Sequence, residues 1–345
     1  MRAAVLTAKQ SIETVEREEP DLGPTEVRVR IRAGGICGSD LHYFHHYRMG
    51  DFPVREPFVL GHEAAGEVAE VGSDVTRVKV GDKVTVNPSH PCGKCEFCLA
   101  GRALLCGDMI FLGSSRRFPH VQGMFAETYQ TDKAQCFVVP ESLSLNAAAF
   151  AEPLSVALHA TGHAGPLVGA DVLISGSGPI GSLILLTAKL AGAASVTMTD
   201  VLDAPLKIAE SIGADRVVNV GGGDDALVDP AQPRGSFDVA FDASGHPAAV
   251  LSAIRHLRPG GVFTQVGTFA DPMVPMPTDQ IMVKELTLKS SFRFDKEFAW
   301  AVRYLSEGRI DISALHSHTF SMDEANEAFR TASDRGRSMK VHLAF

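Results

Sequence analysis

The sequence predicts an α/β protein in two parts, a β-rich domain and a doubly wound parallel sheet with helices on both faces. Three observations carry this reading. Residues 1 to about 150 run in short alternating segments such as Glu26-Val27-Arg28-Val29-Arg30-Ile31, separated by Gly, Pro and Asp turns. After Pro153 the texture changes, and apolar strand-like runs alternate with helical ones. Between the first such pair stands Gly176-Ser177-Gly178-Pro179-Ile180-Gly181, where a strand must turn sharply into a helix.

Each element follows from its pattern. Gly81-Asp82-Lys83-Val84-Thr85-Val86 reads as a turn and a strand. No long helical period precedes Pro153, so a small β-barrel or sandwich is expected there. Residues 154–165 predict a connecting helix. Strand 171–175, helix 180–191, strand 195–199, helix 204–212 and strand 216–219 follow. Then come strand 237–241, helix 246–257, strand 261–266 and strand 286–290. The Gly-, Asp- and Pro-rich stretch 221–235 is read as a surface excursion. The tail ends in strand-like Lys340-Val341-His342-Leu343 and is expected to return to the first domain. The expected domains are thus 1–153 with 290–345, and 154–289.

A chain of 345 residues has room for two domains. Its 45% hydrophobic and 21% charged residues are those of an ordinary globular protein. A net charge of -9 and a pI near 5.8 argue against nucleic acid or anionic membrane as partners. Residues 1–12 carry no apolar signal-peptide core. The longest apolar stretch, about 173–196, is broken by Gly176, Gly178, Pro179, Gly181, Lys189 and Gly192, so it does not read as a membrane span. A cytoplasmic location is expected.

Of six cysteines, Cys92, Cys95, Cys98 and Cys106 fall in one Gly- and Lys-punctuated loop. Four thiolates at these gaps can close a tetrahedron around zinc with no open position. Four free thiols in one loop, or a nucleic-acid-binding zinc ribbon, are the other readings; the acidic charge and lack of a basic stripe oppose the ribbon. Cys136 gets no role beyond a buried thiol.

The glycines of Gly176-Ser177-Gly178-Pro179-Ile180-Gly181 match the dinucleotide fingerprint. The first permits the turn, the second lets backbone approach a pyrophosphate, and the third lets helix and strand pack closely. Asp200 ends the next strand, 19 residues after Gly181. A carboxylate there can bond ribose hydroxyls and repel a 2′-phosphate, and Val201-Leu202-Asp203 bring no Arg. NAD is therefore expected rather than NADP. The competing role for Asp200 is an N-cap of the following helix.

Gly61-His62-Glu63 lies between Val59-Leu60 and Ala64-Ala65. A buried imidazole and carboxylate need partners, either hydrogen bonds in a core or a metal ion. Cys37 upstream and Glu152 downstream complete a Cys, His and carboxylate set, the ligand types of an open catalytic zinc site.

With these residues the chain resembles the zinc-dependent medium-chain dehydrogenases from end to end. Gly61-His62-Glu63-x2-Gly66-x5-Gly72-x2-Val75 matches their zinc signature. The resemblance implies a GroES-like catalytic domain, built from both ends of the chain, around a central Rossmann domain. Within the family it is similar to the polyol (sorbitol dehydrogenase) branch through Cys37 to Tyr43, Glu152-Pro153-Leu154-Ser155-Val156 and Phe292-Arg293-Phe294. It is nearer to the bacterial L-idonate 5-dehydrogenases through Asn87-Pro88-Ser89, Phe118-Pro119-His120-Val121, Ser244-Gly245-His246-Pro247 and Ser291-Phe292-Arg293-Phe294.

The resemblance implies two zinc ions per chain, one in the four-cysteine loop and one on Cys37 and His62 with Glu63 and Glu152. Which of the two carboxylates binds directly stays open. It implies Ser39 at the reacting alcohol, His42 as proton relay, and Tyr43 and Arg293 in the substrate pocket. Val266 joins Gly176, Gly178, Pro179, Ile180, Gly181 and Asp200 at the cofactor. The implied reaction is oxidation of a secondary alcohol of a sugar acid or polyol, first L-idonate to 5-keto-D-gluconate, alternatively sorbitol or xylitol. An aldonate needs a cation, for which Arg293, Arg48, Arg116 and Arg117 are candidates. A homodimer or homotetramer is implied. The other classes are a non-catalytic relative with a dead zinc site, which would have lost these ligands, and a zinc-ribbon adaptor.

Overall fold

The computed structural model describes residues 1–269 and 273–345. Contacts divide the chain into two compact units. The first comprises Met1–Glu152, Phe298–Asp334 and Lys340–Phe345; the second comprises Pro153–Glu297 and Arg335–Met339.

The first unit is built on a seven-stranded sheet. Its central strand, Glu26–Gly35, buries Val27, Val29 and Ile31 and leaves Arg30 and Arg32 exposed, the period-two pattern expected of a half-buried strand. It pairs antiparallel with Glu63–Val71, Thr128–Asp132 and Lys340–Ala344. The tail thus returns to the first unit. At one end of the sheet Gly35 lies opposite both Glu63 and His342. That corner brings the start of one strand and the end of another together, two residues before Cys37.

A helix, Gly38–His46, follows the central strand. The expectation of no long helix before Pro153 passes over it, because nine residues carry too little period to show. Cys37 caps it in extended conformation, and the Asp40 carboxylate accepts from Cys37 N at 2.9 Å. Tyr43, Phe44, Phe58, Leu60, Phe125 and Phe329 form the core beneath.

The second unit is a six-stranded parallel sheet in the order 216–219, 195–200, 171–175, 237–242, 257–265, 287–290. The expected strands and helices form there with shifts of a few residues at their ends. The strand order reverses between Asp171–Ser175 and Phe237–Asp242, and such a switch point is where open α/β sheets bind ligands. The connecting helix begins earlier than expected, at Ala151, so Glu152 sits in its first turn, where Pro153 is tolerated. Residues 221–235 form turns and a short 3-10 turn, Asp225–Leu227, as the excursion predicts. Among the described residues no helix is long and apolar enough to cross a membrane.

Gly66 shows why the zinc-signature glycines are needed. It sits in Glu63–Val71 between two neighbouring strands, and a Cβ there would lie 2.1 Å from the Arg30 carbonyl oxygen. Backbone cannot yield as a flexible side chain can. Gly66→Ala is expected to destabilise the protein by about 2 kcal/mol or more and lower Tm by several degrees. A thermal melt matching the parent would show that the strands separate freely there.

Candidate functional site

The corner at Gly35 and Glu63 gathers one donor cluster. Ligand atoms of Cys37, His62 and Glu63 lie within 4.8 Å of one another. His62 and Glu63 are buried, and Cys37 is half-buried. Glu152 is also buried and stands outside that set, close enough to interact with His62, Glu63 and Cys37. Burial, and then the charge on Glu63, push the Cys37 thiol up to about 12. Burial, with the Glu63 and Cys37 charges, holds the Glu152 carboxyl up to about 8 against the pull of His62. His62 Nδ1 is buried without a hydrogen bond, 3.7 Å from Asp40 Oδ1. Soft and hard donors, two of them reluctant to ionise and one nitrogen unfilled, fit a divalent cation.

Two residues of this cluster stand outside the expected ligand set. Asp40 is fully buried; it accepts from Cys37 N and from Gly61 N at 3.3 Å, so one carboxylate ties together the two segments that bring in Cys37 and His62. Lys340 is 3% exposed, and its Nζ donates to Glu63 Oε1 at 2.6 Å and to Ile36 O at 3.1 Å. It also lies 2.5 Å from Glu63 Oε2, an ionic contact without hydrogen-bond geometry, which leaves that oxygen's directional capacity unfilled. Only the return of the chain end reveals Lys340. A helix cap at Asp40, three residues after Cys37, was the one readable hint.

Ser39 and His42 lie on the helix that Cys37 caps. The Ser39 side chain bonds the Cys37 thiol. His42 is half-buried; burial and then the neighbouring His46 and His45 lower its pKa, so the ring is a neutral proton acceptor near pH 7. Tyr43, expected in the pocket, is buried with its ring edge-on to Phe58. Its hydroxyl accepts from Ser115 N at 3.0 Å and bonds Ser115 Oγ at 3.3 Å, so it anchors the 113–117 loop. Arg293 belongs to the second unit, in left-handed backbone with its guanidinium over the Phe292 ring.

Cys92, Cys95, Cys98 and Cys106 form a second cluster, again with sulfurs within 4.8 Å of one another. A short helix, Glu96–Leu99, follows Cys95, and the 3-10 turn Ala103–Leu105 delivers Cys106. All six cysteines are free thiols. Backbone N–H groups of Lys94 and Cys95 lower Cys92 to about 6, favouring the thiolate that metals bind.

In the second unit the glycine loop joins strand Asp171–Ser175 to helix Pro179–Leu190, capped by Gly178 with Pro179 in its first turn. A Cβ on Gly181 would lie 1.8 Å from Gly176 O, so only glycine allows this close turn. Pro179 and Ile180 are half-buried at the helix start. Val266 lies at the same carboxyl edge of the sheet, its N donating to Asp242 O at 2.9 Å. Asp200 accepts from Ser177 N at 2.9 Å, Val201 N at 2.8 Å and Leu202 N at 3.2 Å. It is not the cap of the next helix, Asp203–Ser211, whose N-cap is Leu202. Arg335 Nη2 also reaches Asp200 Oδ2, at 2.5 Å. The preference for NAD rested on the lack of an arginine after Asp200; one arrives from 135 residues downstream.

Residues 23–141 match the alcohol dehydrogenase GroES-like domain, and residues 179–307 match the zinc-binding dehydrogenase domain. The L-idonate 5-dehydrogenase (NAD(P)(+)) of Escherichia coli K12 is 39% identical over 344 residues, covering 100% of this chain and 98% of that protein. The chain is a zinc-binding medium-chain dehydrogenase. Sorbitol dehydrogenase of Bacillus subtilis is 35% identical, over 96% of this chain and 93% of that one, which fits the polyol and sugar-acid branch of the family. The crystal structure of the Escherichia coli L-idonate 5-dehydrogenase superposes with a TM-score of 0.94 at 38% identity, over 100% of this chain and 98% of that chain. A solved structure from Sinorhizobium meliloti 1021 bound to NADP has a TM-score of 0.91 at 32% identity, over 100% and 99% of the two chains. The dehydrogenase therefore has the GroES-like and Rossmann folds that its sequence implies.

Among the described residues, Lys340 is the cation bonded into the first cluster of this dehydrogenase. Removing one partner of a buried ion pair strands the other, at roughly 3–5 kcal/mol. Lys340→Met should therefore destabilise the metal-free protein by about that amount, read by urea unfolding after chelation. A loss below about 1 kcal/mol would mean Glu63 is neutralised by other means.

Proposed function

We propose that this protein is a cytoplasmic NAD(P)-dependent dehydrogenase that oxidises a secondary alcohol of a small sugar acid, L-idonate to 5-keto-D-gluconate, at a zinc held by Cys37, His62 and a carboxylate. The observation that carries the reading is the buried Cys37, His62 and Glu63 cluster with an unfilled His62 nitrogen. Glu63 and Glu152 are the two candidate carboxylates, and Glu63 is already tied to Lys340. The loop of Cys92, Cys95, Cys98 and Cys106 would hold a second, structural zinc.

Zinc in the first site would supply a Lewis acid for the alcohol oxygen, and the nicotinamide would accept the hydride. The chain supplies the rest. Ser39, on the first turn of its helix, would take the alcohol proton, and neutral His42, one helical turn further on, would pass it to solvent. Asp40 fixes the backbone at Cys37 and at Gly61, the residue before His62. A carboxylate in place of a second thiolate makes the donor set harder, which suits a substrate rich in hydroxyls.

The sugar acid also needs a cation for its carboxylate. The loop that Tyr43 anchors runs from Phe111, packed 5.5 Å from the His62 ring, past Gly113 against Gly61, to Ser115 and Arg116. Of the arginines nearby, Arg117 is paired with Asp108 and Arg48 with Asp51. Arg116 is exposed, lies over the Phe52 ring at 5.7 Å, and has no carboxylate partner among the described residues. It is the carboxylate partner of this proposal. A homodimer or homotetramer is part of the proposal through the family alone.

Steady-state rates for L-idonate, sorbitol, xylitol and L-threonine with each nicotinamide test the substrate. L-Idonate should lead in kcat/KM, and Arg116→Met should cut its advantage over xylitol by about tenfold or more. A clear lead for sorbitol would replace the sugar-acid assignment with a polyol dehydrogenase.

Metal analysis tests the site itself. The purified protein should hold two zinc ions per chain, and Glu152→Gln should lower the zinc content towards one and kcat/KM by at least about tenfold. If zinc content and rate both stay at the parent values, Glu152 has no place at the metal.

A further inference from the structure

Asp200 is saturated. A carboxylate has about four acceptor positions, and here four donors occupy them: Ser177 N, Val201 N, Leu202 N and the Arg335 guanidinium. Three are backbone groups fixed by the glycine loop and the end of the strand. The fourth is a side chain that is 48% exposed, against 2% for the Asp200 side chain. A ribose hydroxyl can gain Asp200 Oδ2 only by displacing Arg335, the one partner free to turn away.

We propose that Arg335 is a cofactor-selecting residue that lets this site accept both NAD and NADP. The inference rests on the dehydrogenase reading above, because it needs the adenosine ribose to lie at the end of strand Ser195–Asp200. With NAD, the ribose 2′-hydroxyl donates to Asp200 Oδ2 and Arg335 swings out to solvent. With NADP, the 2′-phosphate draws Arg335 to itself, and the guanidinium sets one charge against the repulsion of Asp200. A planar fork suits a phosphate better than an ammonium does. Neither nucleotide then leaves a buried charge unpaired. Asp203, bonded by Asn219 Nδ2 at 2.5 Å, adds a second negative charge close by in sequence, so the phosphate is tolerated rather than required.

The test is equilibrium binding by calorimetry, independent of turnover, with NAD, NADP, 5′-AMP and 2′,5′-ADP as probes. The parent should bind NADP within about tenfold of NAD. Arg335→Met should weaken NADP and 2′,5′-ADP by at least about tenfold relative to NAD and 5′-AMP, and Arg335→Lys should recover part of that loss. The same change frees Asp200 Oδ2, so NAD and 5′-AMP should bind at least as tightly as before and report that the glycine loop is intact. An unchanged NADP to NAD ratio in Arg335→Met, or a parent that binds NAD but not NADP, would overturn the inference and leave the dehydrogenase reading standing. A parent that binds neither nucleotide would overturn both.

Discussion

The buried ion pair between Glu63 and Lys340 is the constraint on which the first unit depends. Glu63 opens a central strand directly after His62, so its carboxylate cannot leave the interior without unpairing that strand from Gly35. It must be neutralised where it lies, and the chain does this with its own last strand. Lys340–Ala344 pairs beside Glu26–Gly35, and its first residue brings the ammonium to Glu63. Closing the sheet and neutralising the site are therefore one event. The cluster still lacks positive charge. Cys37 and Glu152 are both held towards their protonated forms by burial, next to a Glu63 already engaged by Lys340. A divalent cation would let thiol and carboxyl ionise together, which is how metal affinity and protonation become linked at such sites.

The second unit handles its carboxylates differently. Asp200 and Asp242 end the two strands that flank Asp171–Ser175 in the parallel sheet. Each clamps the backbone that follows it. Asp200 holds Val201 and Leu202 as well as Ser177 of the glycine loop. Asp242 accepts from Ser244 N at 3.0 Å, Gly245 N at 3.2 Å and Gln265 Nε2 at 2.9 Å. Backbone N–H groups, not a lysine, satisfy most of this charge, and they fix the loops at the edge where a nucleotide would bind. The first unit meets a buried charge with a counter-charge. The second meets it with oriented dipoles and, at Asp200, leaves the outermost position to a half-exposed arginine.

What the sequence revealed divides along the same line. Contributions that are local in the chain could be read. The spacing of Cys92, Cys95, Cys98 and Cys106 set a cluster that one loop closes by itself. The fingerprint from Gly176 to Gly181 set a turn between adjacent elements, and a period of two marked Glu26–Gly35. Residues whose role depends on a distant partner could not be read. Lys340 meets a residue 277 positions away, and Arg335 one 135 positions away. Neither differs in sequence from an ordinary surface cation. The helix Gly38–His46 was hidden for a third reason. It is nine residues long and opens on Gly38-Ser39, poor helix formers, so its stability comes from the Asp40 cap and from burying Tyr43 and Phe44 rather than from propensity.

Tyr43 shows why a matching residue type does not fix a role. The resemblance places it in a pocket, and its position on the helix after His42 is compatible with that. Its hydroxyl is nonetheless committed to Ser115, and its ring to Phe58. The chemistry it can offer is therefore geometric: it sets where the 113–117 loop lies relative to the helix that carries Ser39 and His42. Under the proposed function, the exposed Arg116 that this loop presents next, rather than the buried phenol, would meet the substrate. A pocket built this way can change its substrate by exchanging exposed loop residues while the buried anchor, the helix and the metal corner stay as they are.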